Sequence, residues 1–372
     1  MQKQNVVVRF CGDSGDGMQL TGTMFSSLSA ILGEEISTLP DFPAEIRAPQ
    51  GTLGGVSGFQ VNLGSGVYTP GDKADVIVAM NAAALKVCTL GSKFNQAGAQ
   101  YEEAGSMYKK NAVVIVDTDA FTDKDLEKAL YKTDNPFTEL GIPETVQIVP
   151  VALTALTKES LKDSGMDNKS ILKSRNMFAL GVVCWLFNRP IDKAIHFLEG
   201  KFAKKPALIA PNVKVLTDGY NYGNNTALNI NTINVEKAED LQHGTYTSIA
   251  GNKATAWGLI AAAHKCGKRL FLGSYPITPA TDIMHELAGR KDMGVMVVQA
   301  EDEIAGVCTA IGASFAGDLA CTSTSGPGLS LKSEAVGLAV MAELPLVIID
   351  VQRGGPSTGL PTKTEQTDLL QA

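Results

Sequence analysis

The chain has no Cys-x-x-Cys pair: its cysteines, at 11, 88, 184, 266, 308 and 321, are scattered. That spacing builds neither an iron–sulfur cluster nor a zinc site, and it predicts reduced, small core residues. No apolar run reaches the length of a membrane span. Met1-Gln2-Lys3-Gln4 passes straight into a predicted strand without the hydrophobic region of a signal peptide. The expected compartment is the cytoplasm. Basic residues are not in excess: 32 Lys and Arg against 39 Asp and Glu leave a net charge of −7, spread along the chain. That balance excludes the basic footprint of a nucleic-acid binder. The histidines, at 196, 243, 264 and 285, show no ligand spacing, so no metal site and no Ser–His–Asp set is expected.

What is present is glycine and apolar sequence in quantity. With 372 residues, 44% hydrophobic content and 37 glycines, the chain reads as two or three α/β domains rich in tight turns. Val6 to Phe10, Val76 to Met80, Val113 to Val116 and Val146 to Val149 are short apolar runs of the parallel-strand type. Helical patterns at 18–32, 82–90, 97–109, 122–132 and 169–187 separate them, which predicts a wound α/β domain over residues 1–200. Ser57 to Gly64 alternates and predicts an added antiparallel strand. From 201 to 245 asparagine crowds the chain and periodicity fades, so this stretch reads as a linker lying over a surface. A second α/β unit is expected over 246–372, with strands at 269–272, 295–300, 319–322 and 347–351 and helices at 251–266, after Thr281 and over 303–315.

The most telling segment is Gly273-Ser274-Tyr275-Pro276-Ile277-Thr278-Pro279-Ala280-Thr281-Asp282. Two prolines three apart forbid helix and keep the backbone extended, and Thr278 is placed as the N-cap of the helix that Pro279, Ala280 and Thr281 open. The turn therefore sits at the C-terminal end of a strand, where open α/β sheets place their ligands. Further on, the apolar Val297-Val298-Gln299-Ala300 ends in Glu301-Asp302-Glu303. Acids at a helix start are favoured by the dipole with no further role.

Together these segments resemble the pyrimidine-binding domain of the 2-oxoacid:ferredoxin oxidoreductases, thiamine-diphosphate enzymes whose signature is Tyr-Pro-Ile-Thr-Pro. The resemblance continues through Thr322-Ser323-Thr324-Ser325-Gly326-Pro327-Gly328 and Val351-Gln352-Arg353-Gly354-Gly355-Pro356-Ser357-Thr358-Gly359. The glycine-rich opening and Ala74-Asp75-Val76-Ile77-Val78-Ala79-Met80-Asn81 look like the family's gamma domain. A gamma domain fused ahead of an alpha domain most resembles the 2-oxoglutarate-type alpha subunit. Family alpha subunits run well past the position of Ala372, so the resemblance implies a second domain cut short at its C-terminus.

The resemblance implies site residues. A carboxylate at a strand end, matched best by Glu303 before Ile304-Ala305-Gly306, would face the aminopyrimidine; Glu301 is the neighbouring alternative. Thr278 would lie near the reacting end of the cofactor, and Arg353 would grip the 2-oxoacid carboxylate, for which a bidentate guanidinium suits better than an ammonium. Tyr275, Pro276, Ile277, Ser325 and Gly326 would line the cofactor. Gly12-Asp13-Ser14-Gly15-Asp16-Gly17 sits where a phosphate loop would, but it is neither Gly-x-Gly-x-x-Gly nor a P-loop, and its aspartates would repel phosphate. It reads as a structural turn, with coenzyme A contact by this domain implied by the resemblance alone.

The expected activity is oxidative decarboxylation of 2-oxoglutarate to succinyl-CoA with reduction of ferredoxin. Thiamine diphosphate would be shared with a beta subunit that also carries Mg2+ and a [4Fe-4S] cluster, with coenzyme A as co-substrate. Two alternatives stand beside it: a pyruvate or branched-chain 2-oxoacid enzyme, and a non-catalytic module for nucleotide binding or assembly.

Overall fold

The computed structural model describes residues 2–41, 48–90, 106–226, 230–238, 242 and 244–352. It divides into two compact units, Met1–Gly244 and Thr245–Ala372, both α/β. The first unit has strands β1 (Gln2–Lys3), β2 (Asn5–Asp13), β3 (Glu35–Asp41), β4 (Val56–Gly64), β5 (Ala74–Ala79), β6 (Tyr108–Asp117), β7 (Gln147–Val151) and β8 (Asn234–Val235). Its helices are α1 (Met18–Ile31), α2 (Ala82–Leu90), α3 (Asp123–Lys128), α4 (Pro136–Glu139), α5 (Leu153–Ser160), α6 (Asn168–Leu172), α7 (Arg175–Leu186), α8 (Ile191–Lys201) and α9 (Ile209–Asn225). The second unit carries β9 (Leu270–Ser274), β10 (Val295–Gln299), β11 (Leu319–Thr324) and β12 (Val347–Asp350) with α10 (Gly251–Cys266), α11 (Thr281–Ala288), α12 (Glu303–Phe315) and α13 (Gly328–Met341).

In the first unit a six-stranded sheet runs in the order β3-β4-β2-β5-β6-β7. β2, β5, β6 and β7 are mutually parallel, while β4 pairs antiparallel with both β2 and β3. The continuous apolar runs of β2, β5 and β6 suit strands covered on both faces. Along β2 the side chains split between two cores: Val6, Val8 and Phe10 join α1 and α7, whereas Val7 and Cys11 join α2. The predicted hairpin-type strand over 57–64 is β4; its antiparallel partner β3 has only intermediate and exposed residues and left no periodic signal.

Two expectations fail here. The asparagine-rich stretch read as a linker holds α9, which buries Val215, Leu216, Gly219 and Gly223 against α7. Glycine makes that approach possible: a Cβ on Gly181 would lie 2.7 Å from the Tyr220 nitrogen, and one on Gly219 would lie 3.0 Å from the Phe178 carbonyl carbon. Asparagine on the outer face hid this contact, because the inner face is built from glycine as much as from large apolar groups. The cysteines are also not uniformly reduced core residues. Cys11 of β2 and Cys88 of α2 are joined as a disulfide, their Cα atoms 6.6 Å apart, because helix and strand pack face to face there. Cys184 and Cys321 are free and buried, and Cys266 and Cys308 are free and exposed. Of the predicted helix at 97–109, residues 97–105 lie outside the described residues, and Tyr108 already begins β6.

One buried ion pair ties the first unit together. Arg189, just past α7, forks onto Glu34 at the end of the α1 turn, with Nη1–Oε1 at 2.6 Å and Nη2–Oε2 at 2.8 Å. Its guanidinium lies 5.9 Å from the ring centres of both Phe25 and Phe187. Burial pushes the Glu34 carboxyl up, and Arg189 pulls it back. Removing one partner strands a buried charge. Arg189→Ala should therefore destabilise the first unit by about 3–5 kcal/mol, while replacing both residues with methionine should recover most of that loss. Calorimetric unfolding of the two variants measures the difference.

Candidate functional site

The second unit's sheet is wholly parallel, in the order β10-β9-β11-β12. All four carboxyl ends therefore open on one edge, and the segments singled out in the sequence gather there. Ala300 donates its N–H to the Ser274 carbonyl at 2.9 Å, and Val351 donates to the Thr324 carbonyl at 2.9 Å, so the chain stays in register past the strand ends. Between β9 and β11, Ser274 Oγ donates to the Ser323 carbonyl at 2.7 Å and lies 2.9 Å from Ser323 Oγ.

α12 lies close on β9 because both surfaces are glycine where they meet. A Cβ on Gly273 would overlap the Thr309 hydroxyl and come 2.5 Å from the Gly306 carbonyl oxygen. A Cβ on Gly306 would lie 3.2 Å from Ser274 Cα. This contact fixes the start of α12 beside the Tyr275–Thr281 turn. α13 begins in the same way: a Cβ on Gly328 would overlap Thr324 Oγ1 and lie 3.4 Å from Glu303 Cγ.

The turn itself departs from expectation. Thr278 is not the N-cap; α11 begins at Thr281 with Ala280 in the cap position and no side-chain cap, and the Thr281 N–H bonds the Ile277 carbonyl at 3.0 Å. The Thr278–Pro279 peptide is cis. Thr278 is exposed, and Tyr275 stands at the edge of solvent. Asn252 of α10, which sequence reasoning passed over, donates to the Pro279 carbonyl at 2.9 Å and anchors the turn from behind.

The three acids after β10 have different fates. Asp302 is the N-cap of α12, accepting from the Ala305 N–H at 2.7 Å, as a helix-start acid should. Glu301 is exposed, whereas Glu303 is 9% exposed and sits under the first turn of α13. Ser325 is fully buried, and its Oγ has no hydrogen-bond partner among the described residues; the same holds for the Oγ1 atoms of Thr322 and Thr324. Gly326 adopts φ +58°, a conformation that suits glycine. The other residue missed in the sequence is Lys332 of α13, fully buried near Glu303. A lysine in an apolar helix reads as a surface residue, and only the packed structure reveals otherwise. Arg353 lies outside the described residues.

In the first unit, the Gly12–Gly17 loop spends its acids internally. Asp16 Oδ2 accepts the Asp13 N–H at 2.9 Å, and Arg175 bridges Asp16 at 2.8 Å to the buried Asp117 at 3.1 Å. Thr154 Oγ1 donates to Asp117 at 2.8 Å. Burial raises both the Asp13 and Asp117 carboxyls, with Asp16 adding to the rise at Asp13 and Arg175 opposing both. Among the described residues no group of three or more His, Cys, Asp and Glu could hold a metal ion.

Residues 7–222 match the family model described as "Pyruvate ferredoxin/flavodoxin oxidoreductase". The chain belongs to this oxidoreductase family. Residues 261–372, the unit whose strand ends carry the turn and the acids, match the model described as "Pyruvate flavodoxin/ferredoxin oxidoreductase, thiamine diP-bdg". Over 99% of the chain it is 49% identical to the 2-oxoglutarate oxidoreductase subunit KorA of Mycobacterium tuberculosis, covering 54% of that protein. A 2-oxoglutarate synthase subunit KorA from Methanothermobacter marburgensis is 52% identical over 33% of this chain and 32% of its own length. The whole chain superposes on 56% of a Magnetococcus marinus chain with a TM-score of 0.70 at 31% identity. That structure is a 2-oxoglutarate:ferredoxin oxidoreductase with 2-oxoglutarate, coenzyme A and succinyl-CoA bound. The chain thus spans about half, or less, of the length of the relatives it matches.

The edge of the second unit fits the aminopyrimidine end of thiamine diphosphate. It offers an exposed carboxylate at a strand end, buried hydroxyls without partners among the described residues, and glycine turns that allow close backbone approach. It does not fit the diphosphate: 275–281, 299–303 and 324–328 contain no Lys or Arg. Gly273→Ala should move α12 off β9, because backbone cannot yield to the added methyl. We expect a loss of about 1–3 kcal/mol in the second unit and a drop in cofactor affinity, with Gly306→Ala milder on both. Thermal unfolding and cofactor titration of the two variants check this.

Proposed function

We propose that the chain supplies the pyrimidine-binding half of a 2-oxoglutarate:ferredoxin oxidoreductase that acts in the cytoplasm. The reaction is oxidative decarboxylation of 2-oxoglutarate to succinyl-CoA. The observation that carries this reading is the 49% identity to a 2-oxoglutarate oxidoreductase subunit, sustained across 99% of the chain. The Magnetococcus marinus enzyme, superposable over the whole chain, holds the same substrate and product. Thiamine diphosphate, when bound, supplies the carbon nucleophile for the 2-oxo carbonyl and a store for the electrons left as carbon dioxide departs.

The chain's own residues bind and orient. The Tyr275–Ile277 segment and the Ser325-Gly326 turn line the aminopyrimidine, and Thr278 stands toward the substrate side. A carboxylate of this chain hydrogen-bonds the ring nitrogen and steers the proton of the neighbouring amino group. Two acids compete for that role. A group that meets a ligand shared with a second subunit must be reachable from outside its own unit, and Glu301 is, whereas Glu303 is covered by α13. We therefore assign the ring-facing role to Glu301 and a supporting role to Glu303. Arg353 takes the substrate carboxylate. The beta subunit brings Mg2+, the diphosphate site and the [4Fe-4S] cluster, which hands electrons to ferredoxin.

Anaerobic viologen reduction by the full-length protein purified with its beta subunit tests the reading, with thiamine diphosphate, Mg2+ and coenzyme A supplied. Coenzyme A-dependent reduction should be fastest with 2-oxoglutarate. A preference for pyruvate or 2-oxoisovalerate would move the substrate assignment, and no reduction from a complex carrying cofactor and cluster would favour a binding module. Glu301→Gln should lower kcat by about 100-fold or more, and Glu303→Gln should cost less; the reverse order would restore Glu303 as the ring-facing acid. Arg353→Ala should raise KM for the 2-oxoacid by about tenfold and leave KM for coenzyme A alone, as expected of one lost charge-assisted contact.

A further inference from the structure

Lys332 sits one turn after Gly328 on the inner side of α13. It is fully buried, and its Nζ has no hydrogen-bond partner among the described residues. Lysine is almost never buried without a pair, and its ammonium costs free energy there that a methionine of similar volume would not. Packing alone does not account for it. Two carboxylates act on the ammonium, Glu303 from the start of α12 and Asp350 from the end of β12. β11, whose Ala320 faces α12, adds only the uncharged hydroxyls of Thr322 and Thr324 on that side. Glu303, whose Cγ would lie 3.4 Å from a Cβ on Gly328 one turn before Lys332, and the half-buried Asp350 thus flank the buried ammonium near the carboxyl ends of β10 and β12.

We propose that Lys332 is a positioning residue, whose buried charge holds Glu303 and with it the first turn of α12, so that Glu301 is presented to the aminopyrimidine. The inference rests on the thiamine-diphosphate reading of this edge. Glu303 is then the link through which an interior cation fixes a ligand-facing acid two residues away. Burial brings the Lys332 ammonium down to about 8, with Glu303 and Asp350 opposing the shift. The charge is present below that pH and lost as pH rises through it, so the hold on α12 weakens on the alkaline side.

The test uses the complex purified with its beta subunit. Hydrogen-exchange protection factors for residues 301–309, measured without cofactor, should fall about tenfold from pH 7 to pH 9, and Lys332→Met should show the lowered protection at both. Protection in α10 should not change. Calorimetric titration with thiamine diphosphate and Mg2+ should give a dissociation constant about tenfold weaker in Lys332→Met at pH 7, without the parent's weakening at pH 9. Combining Lys332→Met with Glu303→Gln should cost less than the two single effects together. Parent-like protection and affinity in Lys332→Met would overturn the proposal. Were that variant not to assemble, flat protection of 301–309 in the parent between pH 7 and 9 would do the same. A parent complex that binds no thiamine diphosphate would remove the cofactor reading, while the exchange data would still decide the role of Lys332.

Discussion

The contact between Gly273 and Gly306 is the constraint on which the second unit's site depends. A parallel strand ends at its ligand edge, and the helix that follows the next strand must start there too. With any side chain at Gly273, α12 would stand off β9, and the acids at its first turn would leave the Tyr275–Thr281 turn. Gly328 repeats the device at α13, where Thr324 and Glu303 leave no room for a Cβ. Three segments far apart in sequence therefore converge because small residues let backbone meet backbone.

Much of this was legible in the sequence. Short apolar runs marked the parallel strands of both units; β2, β5 and β9 are buried almost throughout and need no alternation, whereas β10 and β12 are only partly covered. The double-proline turn marked the carboxyl end of β9, because its backbone can be neither helix nor ordinary strand. Other features could not be read. Thr278 precedes the helix at a plausible capping distance, yet α11 begins later, and nothing in residue type fixes which backbone turn continues into helix. α9 was invisible because glycine, which signals a turn in sequence, serves there as a flat surface for α7. Lys332 was invisible because a charge on a helix is solvated in the common case, and only α12 and β12 closing over it make it interior. The acid triplet was ambiguous for a related reason: Glu301, Asp302 and Glu303 all suit a helix start, and only burial separates the exposed acid from the cap and the covered one.

The two units treat polar groups at their strand ends differently. In the first, Asp16 and Asp117 are paired by Arg175, Thr154 and backbone N–H groups, while Asp13 Oδ2 accepts the Gly51 N–H and its Oδ1 is buried without a partner among the described residues. In the second, the hydroxyls of Thr322, Thr324 and Ser325 are buried without partners among the described residues. Buried polar atoms are seldom left without partners. A loop whose acids are mostly paired has less free energy to gain from a ligand than an edge with three spare hydroxyls. That contrast favours the second unit as the place where polar chemistry completes itself through another molecule.

Charge limits what the turn segments of this edge can hold. Segments 275–281, 299–303 and 324–328 carry acids and hydroxyls but no Lys or Arg. A doubly charged diphosphate placed beside Glu301 and Asp302 would meet repulsion unless cations came with it. The uncharged aminopyrimidine has no such difficulty, and it needs the carboxylate. Dividing the cofactor so that its neutral ring meets the acidic half and its anionic end meets a metal-bearing half satisfies both demands at once. On this argument, these three acidic segments suit the neutral ring of the cofactor and not its anionic end.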